Sequence, residues 1–286
     1  MLQDAGLLVT LTLRQWQARK LDRKTSLEIC QNKGAQIDSG NFHKVLISKH
    51  HLQPITQIVN KIRNYHYANT LAWSHKGVDF LPSKHYMTYM DKMGTLKDKF
   101  EIEVEKFIKI YPNLAKDTAL ELQSLYDADD YPSAEAVRER FFMDIALTPV
   151  PSSGDFRIDL PSKEMKKIKE KLDVSLKEAG HAAALDLYSR FYTSLAKACL
   201  TLADPNKIFR NTLIFNIEDI ATKVKTMDIT ENATLQGLAK DAHDLCNTIE
   251  IDKLRESIES RKYALKEFKE ILALVETAYE AFESKK

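Results

Sequence analysis

The longest periodic stretch of this sequence begins at Ser162, ends at Ala203, and reads SKEMKKIKEKLDVSLKEAGHAAALDLYSRFYTSLAKACLTLA. Apolar and small residues recur in it in steps of three and four, which predicts one long helix with a continuous packing stripe. The stripe slips near Gly180, a stammer that bends or overwinds a coiled coil. Asp204 ends the helix, because the residue before a proline is disfavoured in the α region. The predicted stripe consists of Met165, Ile168, Leu172, Ser175, Ala179, Ala182, Leu185, Tyr188, Tyr192, Leu195, Cys199 and Leu202.

A second stripe of the same kind lies near the end of the sequence, at residues 251–282. Its members follow an unbroken three-four spacing with one charged member, Arg261, which indicates a coiled-coil seam on one helix. Two partners fit this seam: the 162–203 helix of the same chain, or the same helix of a second copy in a homo-oligomer. The predicted partner or self-association residues are Ile251, Leu254, Ile258, Leu265, Phe268, Leu272 and Val275.

The remaining sequence supplies shorter elements of both types. Alternating apolar and polar residues predict strands at 7–13 and 143–147, with a third short strand at 155–159. Residues 70–81 indicate a short extended pair or loop with aromatic side chains. The predicted fold class is mainly α: an elongated helical bundle or coiled-coil hairpin with a small antiparallel β element near the N-terminal half.

Prolines and one acidic run set the predicted boundaries of the other helices. We expect a break near Pro54, and Pro112 is expected to open a new helix. The run Asp127–Pro132, with Asp127, Asp129 and Asp130, begins like a calcium loop but lacks its glycine and its bidentate glutamate. It therefore predicts a solvated loop. Asp204 is expected to cap a further helix that has Pro205 at its first position.

Charge is unevenly distributed along a nearly neutral chain. The 286 residues carry a net charge of +1. Residues 1–100 hold 15 Lys and Arg against 7 Asp and Glu, a balance of +8, whereas residues 101–286 hold 27 against 34, a balance of −7. Such polarity indicates an anionic partner for the basic part, or contact between the two parts. We therefore divide the chain into a basic α+β region, 1–160, and a coiled-coil-like region, 161–286.

Basic and aromatic residues are densely interleaved at residues 61–89. Cations neutralise phosphates and release counterions, and aromatic rings stack on unpaired bases, so this combination suits single-stranded nucleic acid. The alternative is that the rings belong to the core and the lysines to an ordinary solvated surface. The predicted nucleic-acid-binding residues are Lys61, Arg63, Tyr65, Tyr67, Trp73, Lys76, Lys84 and Tyr86.

The sequence carries no motif for catalysis or metal binding. It has no phosphate-binding glycine loop, no Gly-x-Ser-x-Gly sequence and no histidine pair at metal-ligand spacing. Its three cysteines, Cys30, Cys199 and Cys246, are far apart, which indicates reduced thiols and a cytoplasmic location. No apolar run is long enough to span a membrane. We expect no enzymatic activity, no cofactor, no metal and no membrane association.

Two stretches resemble an uncharacterised protein family of phages, plasmids and integrative conjugative elements. They are Leu7–Lys20, LLVTLTLRQWQARK, and Val137–Ile145, VRERFFMDI. In that family a Val-x-Leu-x-Ile-x-x-Trp strand precedes a basic segment. The resemblance covers roughly residues 7–160, and this chain lacks the glycine-rich aromatic stretch in the middle of the family. The family has no assigned activity. The resemblance implies a setting beside genes for DNA recombination and for ATPases of the MoxR or cobaltochelatase-like type.

Together these patterns predict a non-enzymatic binding protein of a phage or mobile element. It would act in DNA transactions, contacting single-stranded or duplex DNA through residues 61–89. The alternative is an adaptor, assembly or inhibitor protein that docks a protein partner through its long helices. Such a partner would be, for example, an AAA+ ATPase or a host defence enzyme.

Overall fold

The structure is a computed structural model that describes residues 2–73, 77–152 and 162–284. It is mainly helical with a small antiparallel sheet, as predicted. The helices are α1 (Leu2–Ala5), α2 (Arg23–Asn32), α3 (Lys49–Ala68), α4 (Tyr86–Leu122), α5 (Ala134–Arg138), α6 (Ser162–Leu202), α7 (Thr212–Met227), α8 (Ala233–Thr248), α9 (Lys253–Glu256) and α10 (Ile258–Glu283). The strands are β1 (Gly6–Arg14), β2 (Arg19–Leu21), β3 (His43–Val45), β4 (Leu71–Ala72), β5 (Asp79–Pro82) and β6 (Phe142–Pro149).

The chain forms two compact units. Unit 1 contains residues 1–10, 67–89 and 146–286, and unit 2 contains residues 11–66 and 90–145. These units do not coincide with the predicted division between residues 160 and 161. The prediction used charge, which is a property of the surface, whereas compactness depends on which apolar faces pack together. All four passages of the chain between the units lie inside β1, α3, α4 or β6.

The sheet confirms the two main predicted strands, which appear as β1 and β6. Its strand order is β4-β5-β1-β6, while β2 and β3 form a separate antiparallel pair. β5 is antiparallel to both β1 and β4. Gly6 lies opposite Pro82, where a Cβ atom would collide with the carbonyl oxygen of Leu81 and the ring of Phe80. The strand predicted at 155–159 lies outside the described residues.

The core of unit 1 is built from four helices, α6, α7, α8 and α10. α6 contacts α7 and α10, and α8 contacts the same two helices. The last long helix therefore packs on α6 within one chain, which is one of the two pairings that the sequence left open. Large buried side chains of this core include Leu187, Tyr188, Phe191, Ile217, Leu235, Phe268 and Val275.

The long helix predicted at 162–203 is confirmed as α6, but its buried face is wider than a two-helix seam. Ala182, a predicted stripe member, is exposed, while Ala183 and Ala184 are buried. The reason is that α6 packs against α7, α10 and β4 at once, so more than one stripe is covered. All of its fully buried residues lie at or after Ala179.

The seam predicted at 251–282 is interrupted. α9 ends before Ser257, whose hydroxyl accepts a 3.2 Å hydrogen bond from the Ser260 backbone N–H and caps α10. The cap begins a new helix, and Ile258 at its first position is 62% exposed. Of the other predicted seam residues, the buried ones are Leu254, Phe268 and Val275, and the half-buried ones are Ile251, Leu265 and Leu272.

Three other helix boundaries differ from prediction. Pro54 and Pro112 lie inside α3 and α4, which continue through them. A proline removes one backbone hydrogen bond, and here burial of the adjacent Ile55 and Tyr111 favours continuation of the helix. α7 begins only at Thr212, although Asp204 does accept a 3.0 Å hydrogen bond from the Asn206 backbone N–H.

Candidate nucleic-acid interface

The basic aromatic region 61–89 does not form one surface of one unit. Its first three predicted residues lie on α3 within unit 2, and those from Tyr67 onward belong to unit 1. Lys76 lies outside the described residues. The predicted residues are therefore divided between the two units.

In unit 2, residues of α3 and α4 line an open groove of about 760 Å³. We call it the lysine groove. Two residues of the predicted set, Lys61 and Tyr65, line it. Arg63 is exposed on α3 but does not line the groove, because positions two apart on a helix do not share a face. The lining residues are Ile58, Lys61, Asn64, Tyr65, Lys92, Leu96, Lys99, Ile102 and Glu103.

Helix periodicity explains why these side chains meet. On α3, Ile58, Lys61 and Tyr65 follow one another in steps of three and four, so they project from one face. On α4, Lys92, Leu96 and Lys99 repeat the same steps. The apolar lining residues are Ile58, Leu96 and Ile102, of which Leu96 is buried and Ile102 is 53% exposed.

The charge of the lysine groove is predominantly positive. Lys61, Lys92 and Lys99 are all exposed. Among the described residues, no carboxylate lies within 4.0 Å of any of these three ammonium groups. The one acidic lining residue, Glu103, accepts a 2.6 Å hydrogen bond from Lys106 on the same helix. An anion in this groove would therefore meet three cations without a competing internal partner.

Lys92 and Lys99 are binding candidates that the sequence interpretation missed. A signal was present, because lysines seven residues apart on a helix lie on nearly the same face. Asp91 and Asp98 directly precede Lys92 and Lys99 in the sequence. In a sum of charge along the chain, each aspartate therefore cancels the lysine that follows it. On a helix, adjacent residues point in directions about 100° apart, and the lysines can face the groove without the aspartates.

In unit 1, the predicted residues have other surroundings. The Trp73 ring stacks on Phe80 with centroids 5.5 Å apart and packs against the core. Lys84 is exposed and lines a polar cavity of about 420 Å³ that also contains Asp4, Asp228 and Glu231, an acidic setting unsuited to phosphate. Tyr67 is 58% exposed, whereas Tyr86 is half-buried.

The acidic run Asp127–Pro132 is not simply a solvated loop, which corrects our prediction. The Asp130 side chain is only 3% exposed and forms an ion pair with Lys44, whose side chain is 8% exposed. The Lys20 Nζ atom donates a 2.5 Å hydrogen bond to Asp130 Oδ1, and Lys44 Nζ lies 3.5 Å from Asp22 Oδ2. We call Asp22, Lys44 and Asp130 the buried ion cluster, which Lys20, with its side chain 51% exposed, borders.

The titration of the buried ion cluster reflects competition between burial and pairing. Burial raises the pKa of Asp130, but hydrogen bonds from Lys20 and Lys44 lower it by more than burial raises it. The pKa of Asp130 therefore lies below its usual value. Burial lowers the pKa of Lys44, but pairing with Asp130 and Asp22 outweighs this and leaves it raised. Both groups are therefore held in their charged forms, which is a structural role.

The described residues offer no group of three or more His, Cys, Asp or Glu side chains that would hold a metal ion. The three cysteines are free and buried. Burial raises the pKa of the Cys199 thiol and raises that of Cys246 to about 12, so neither is a thiolate nucleophile at neutral pH. Within the same described ranges, no helix is long and apolar enough to cross a membrane.

Comparisons with protein-family models, with curated proteins and with solved structures find no match to this chain. The resemblance of Leu7–Lys20 and Val137–Ile145 to a mobile-element family thus stands only on the residues quoted for it.

Proposed function

We propose that this protein is a non-enzymatic nucleic-acid-binding protein whose lysine groove contacts the phosphate backbone. The observation that carries the proposal is the set of three exposed lysines, Lys61, Lys92 and Lys99, with no carboxylate partner among the described residues. Each cation that neutralises a phosphate releases condensed counterions, and this release drives most of the non-specific affinity for nucleic acid.

The aromatic ring of Tyr65 favours a single strand over a duplex. Tyr65 lines the groove together with the three lysines. A duplex hides the faces of its bases, whereas a single strand exposes them to an aromatic ring on which they can stack. Lys92 and Lys99 are separated by roughly 10 Å along the axis of α4, so they would contact different phosphates. The resemblance to a family found beside recombination genes favours DNA transactions as the setting.

The test is fluorescence anisotropy with labelled oligothymidylate and with a labelled duplex, at two salt concentrations. The test variant replaces Lys61, Lys92 and Lys99 by Glu. A matched control replaces Lys33, Lys109 and Lys116 by Glu, because these are also exposed lysines of unit 2 and lie outside the groove. Both variants change the net charge equally, so only position distinguishes them.

We expect salt-sensitive binding of the single strand by the wild type, and a loss of at least about tenfold in the groove variant. The slope of log affinity against log salt should decrease by about one for each lysine that contacts a phosphate. The control variant should keep most of its affinity. Equal losses in the two triple variants, or no binding by the wild type at low salt, would contradict the proposal.

A second variant, Tyr65→Leu, tests the preference for single strands separately. Loss of an aromatic ring that stacks on a base typically weakens binding by about 1–3 kcal/mol. We expect weaker binding of oligothymidylate with unchanged binding of the duplex. An equal effect on both ligands would show that Tyr65 acts only through the local packing of α3.

A further inference from the structure

The loop between α6 and α7, residues 203–211, is held in one conformation by two arginines. Arg261 donates hydrogen bonds of 2.6 Å each to the backbone carbonyl oxygens of Pro205 and Lys207. Arg255 donates to the Asn211 side-chain oxygen and, at 3.5 Å, to the carbonyl oxygen of Phe209. Hydrogen bonds with charged donors are stronger than neutral ones, so the path of this loop is well fixed.

The ring of Phe209 anchors the same loop. It is only 9% exposed, and the guanidinium carbons of Arg261 and Arg255 lie 5.2 and 5.5 Å from its centroid. Cations at such distances over a ring are attracted to its face. The side chains on either side of Phe209 are therefore presented in a defined direction.

One of these neighbours, Ile208, is 96% exposed. Leu200, in the last turns of α6, is 72% exposed. Both line a largely apolar groove of about 560 Å³, which we call the loop groove. Tyr192, Ala196 and Leu213 add further apolar surface to it. Exposed apolar side chains that share one groove and are rimmed by polar residues mark an interaction site.

The charge around the loop groove has one sign. Lys197, Lys207 and Arg210 are exposed at its edge, and none of the lining residues is acidic. No carboxylate among the described residues lies within 4.0 Å of these three cations. An apolar centre with an unpaired cationic edge is complementary to a segment that has aliphatic or aromatic side chains flanked by carboxylates.

We propose that the loop groove docks an acidic amphipathic segment of a partner protein. Ile208 and Leu200 are aliphatic and offer no aromatic face on which a base could stack, which favours peptide side chains as their partners. A fixed loop also lowers the entropy lost on binding. Protein docking was expected along residues 251–282, but most of that stripe is covered by the core of unit 1. The loop groove is a different surface, and the proposal is independent of the lysine groove.

The experiment selects peptides from a random library displayed on phage, using the immobilised full chain as bait. Selected peptides are then labelled and their affinities measured by fluorescence anisotropy. The test variants are Ile208→Asp and the pair Lys207→Glu with Arg210→Glu. Leu274→Asp and the pair Lys240→Glu with Lys262→Glu are matched controls, because all three positions are exposed in unit 1 and lie outside the groove.

We expect enrichment of peptides that combine Leu, Ile or Phe with Asp and Glu. Their affinity should fall at least about tenfold in both test variants and stay within about twofold in both controls. Ile208 has almost no contact with the protein itself, so its replacement leaves the fold intact, which circular dichroism would verify.

Three results would overturn the proposal. The first is enrichment of basic or uncharged peptides, or of peptides that bind Ile208→Asp as tightly as the wild type. The second is a dimer in analytical ultracentrifugation that Ile208→Asp dissociates, since a second copy would then cover the groove. The third is loss of oligothymidylate binding in Ile208→Asp, which would assign the surface to nucleic acid.

Discussion

Each unit contains a buried cation, and the two cations are stabilised by different groups. In unit 2, Lys44 is paired with the carboxylates of Asp130 and Asp22. In unit 1, Arg261 is 7% exposed, and no carboxylate among the described residues lies within 4.0 Å of it. Two backbone carbonyl oxygens and the face of Phe209 surround it instead.

The difference shows that a buried charge can be stabilised by ions or by dipoles, with different consequences. A carboxylate can be protonated or deleted, which leaves the buried cation without its counter-ion. Peptide carbonyls cannot titrate, and their positions depend on the path of the loop that carries them. Unit 2 should therefore be sensitive to its acidic side chain and to pH, and unit 1 to the arginine itself.

The two tryptophans allow each unit to be followed separately. Trp16 is 5% exposed in unit 2, with its ring centroid 5.6 Å from that of Tyr111, and Trp73 packs in unit 1. Trp73→Phe leaves only the reporter in unit 2, and Trp16→Phe leaves only the one in unit 1. Urea titrations of these backgrounds, followed by tryptophan emission, measure the free energy of unfolding in each case.

The largest effect is expected for Asp130→Ala. Deleting one partner of a buried ion pair typically lowers the free energy of unfolding by about 3–5 kcal/mol, because the other charge stays buried. The Asp22 Oδ2 atom still lies 3.5 Å from Lys44 Nζ, so we expect a loss at the lower end of that range. The measurement uses the Trp73→Phe background, in which Trp16 is the reporter. Asp129→Ala, an exposed neighbour in the same run, is the control and should change stability by less than about 0.5 kcal/mol. Similar losses in both variants would mean that the loop, not the ion pair, matters.

A smaller loss of unfolding free energy is expected for Arg261→Met, measured in the Trp16→Phe background, in which Trp73 is the reporter. Methionine replaces most of the side-chain volume and leaves no buried charge, but two hydrogen bonds from a charged donor are lost. We expect the free energy of unfolding to fall by about 2 kcal/mol. Arg210→Met, at an exposed position, is the control. A loss as large as that of Asp130→Ala would show that carbonyl dipoles and carboxylates contribute alike.

The N-cap of α10 should contribute less to the free energy of unfolding than Asp130 or Arg261. Ser257→Ala removes the hydroxyl that accepts from the Ser260 N–H, which typically costs about 1 kcal/mol. Ser189→Ala, at an exposed position inside α6, should be neutral or slightly stabilising, because alanine is the better helix former. If Ser257→Ala left stability unchanged, the interruption between α9 and α10 would depend on packing and not on the cap.

The smallest expected difference between the units is in how the stability losses of Asp130→Ala and Arg261→Met depend on pH. The pKa of Asp130 is lowered, so its contribution is present above the unfolded pKa of about 4 and is lost as pH falls through the folded value. The pKa of Lys44 is raised, so its contribution is present below the unfolded pKa of about 10.4 and is lost as pH rises through the folded value. The Asp130→Ala loss should therefore be constant near neutral pH and shrink below about pH 4. The Arg261→Met loss should stay constant over the same acid range, and a parallel decrease would refute the distinction.

Local patterns in the sequence predicted the elements whose signals are themselves local. α6 was predicted nearly to the residue, because its stripe and the Asp204–Pro205 stop are read from adjacent turns. The same holds for β1 and β6, whose alternation is a property of a few residues. The wider buried face of α6 could not be predicted, since exposure of Ala182 depends on how many neighbours pack against the helix.

Partners distant in the sequence account for most of what was missed. Asp130 is buried because of Lys20 and Lys44, which lie 110 and 86 positions earlier. Arg261 interrupts an apolar seam, and its role depends on carbonyl groups more than fifty positions earlier. In the candidate site, Lys61 and Tyr65 were predicted, whereas Lys92 and Lys99 were identified only because α4 lines the same groove as α3.

The passages of the chain between the two units have a consequence for synthesis on the ribosome. Unit 2 ends at residue 145, so every residue it needs is made before residues 146–286, which supply most of unit 1. Unit 1 joins the first ten residues to helices from the end of the chain, including α10. Residues 11–14 of β1 belong to unit 2, whereas residues 6–10 belong to unit 1. The first half of β1 therefore gains its full packing only after most of the core of unit 1 has been made. We expect vectorial folding in which unit 2 is completed first and unit 1 closes only once α10 has been made.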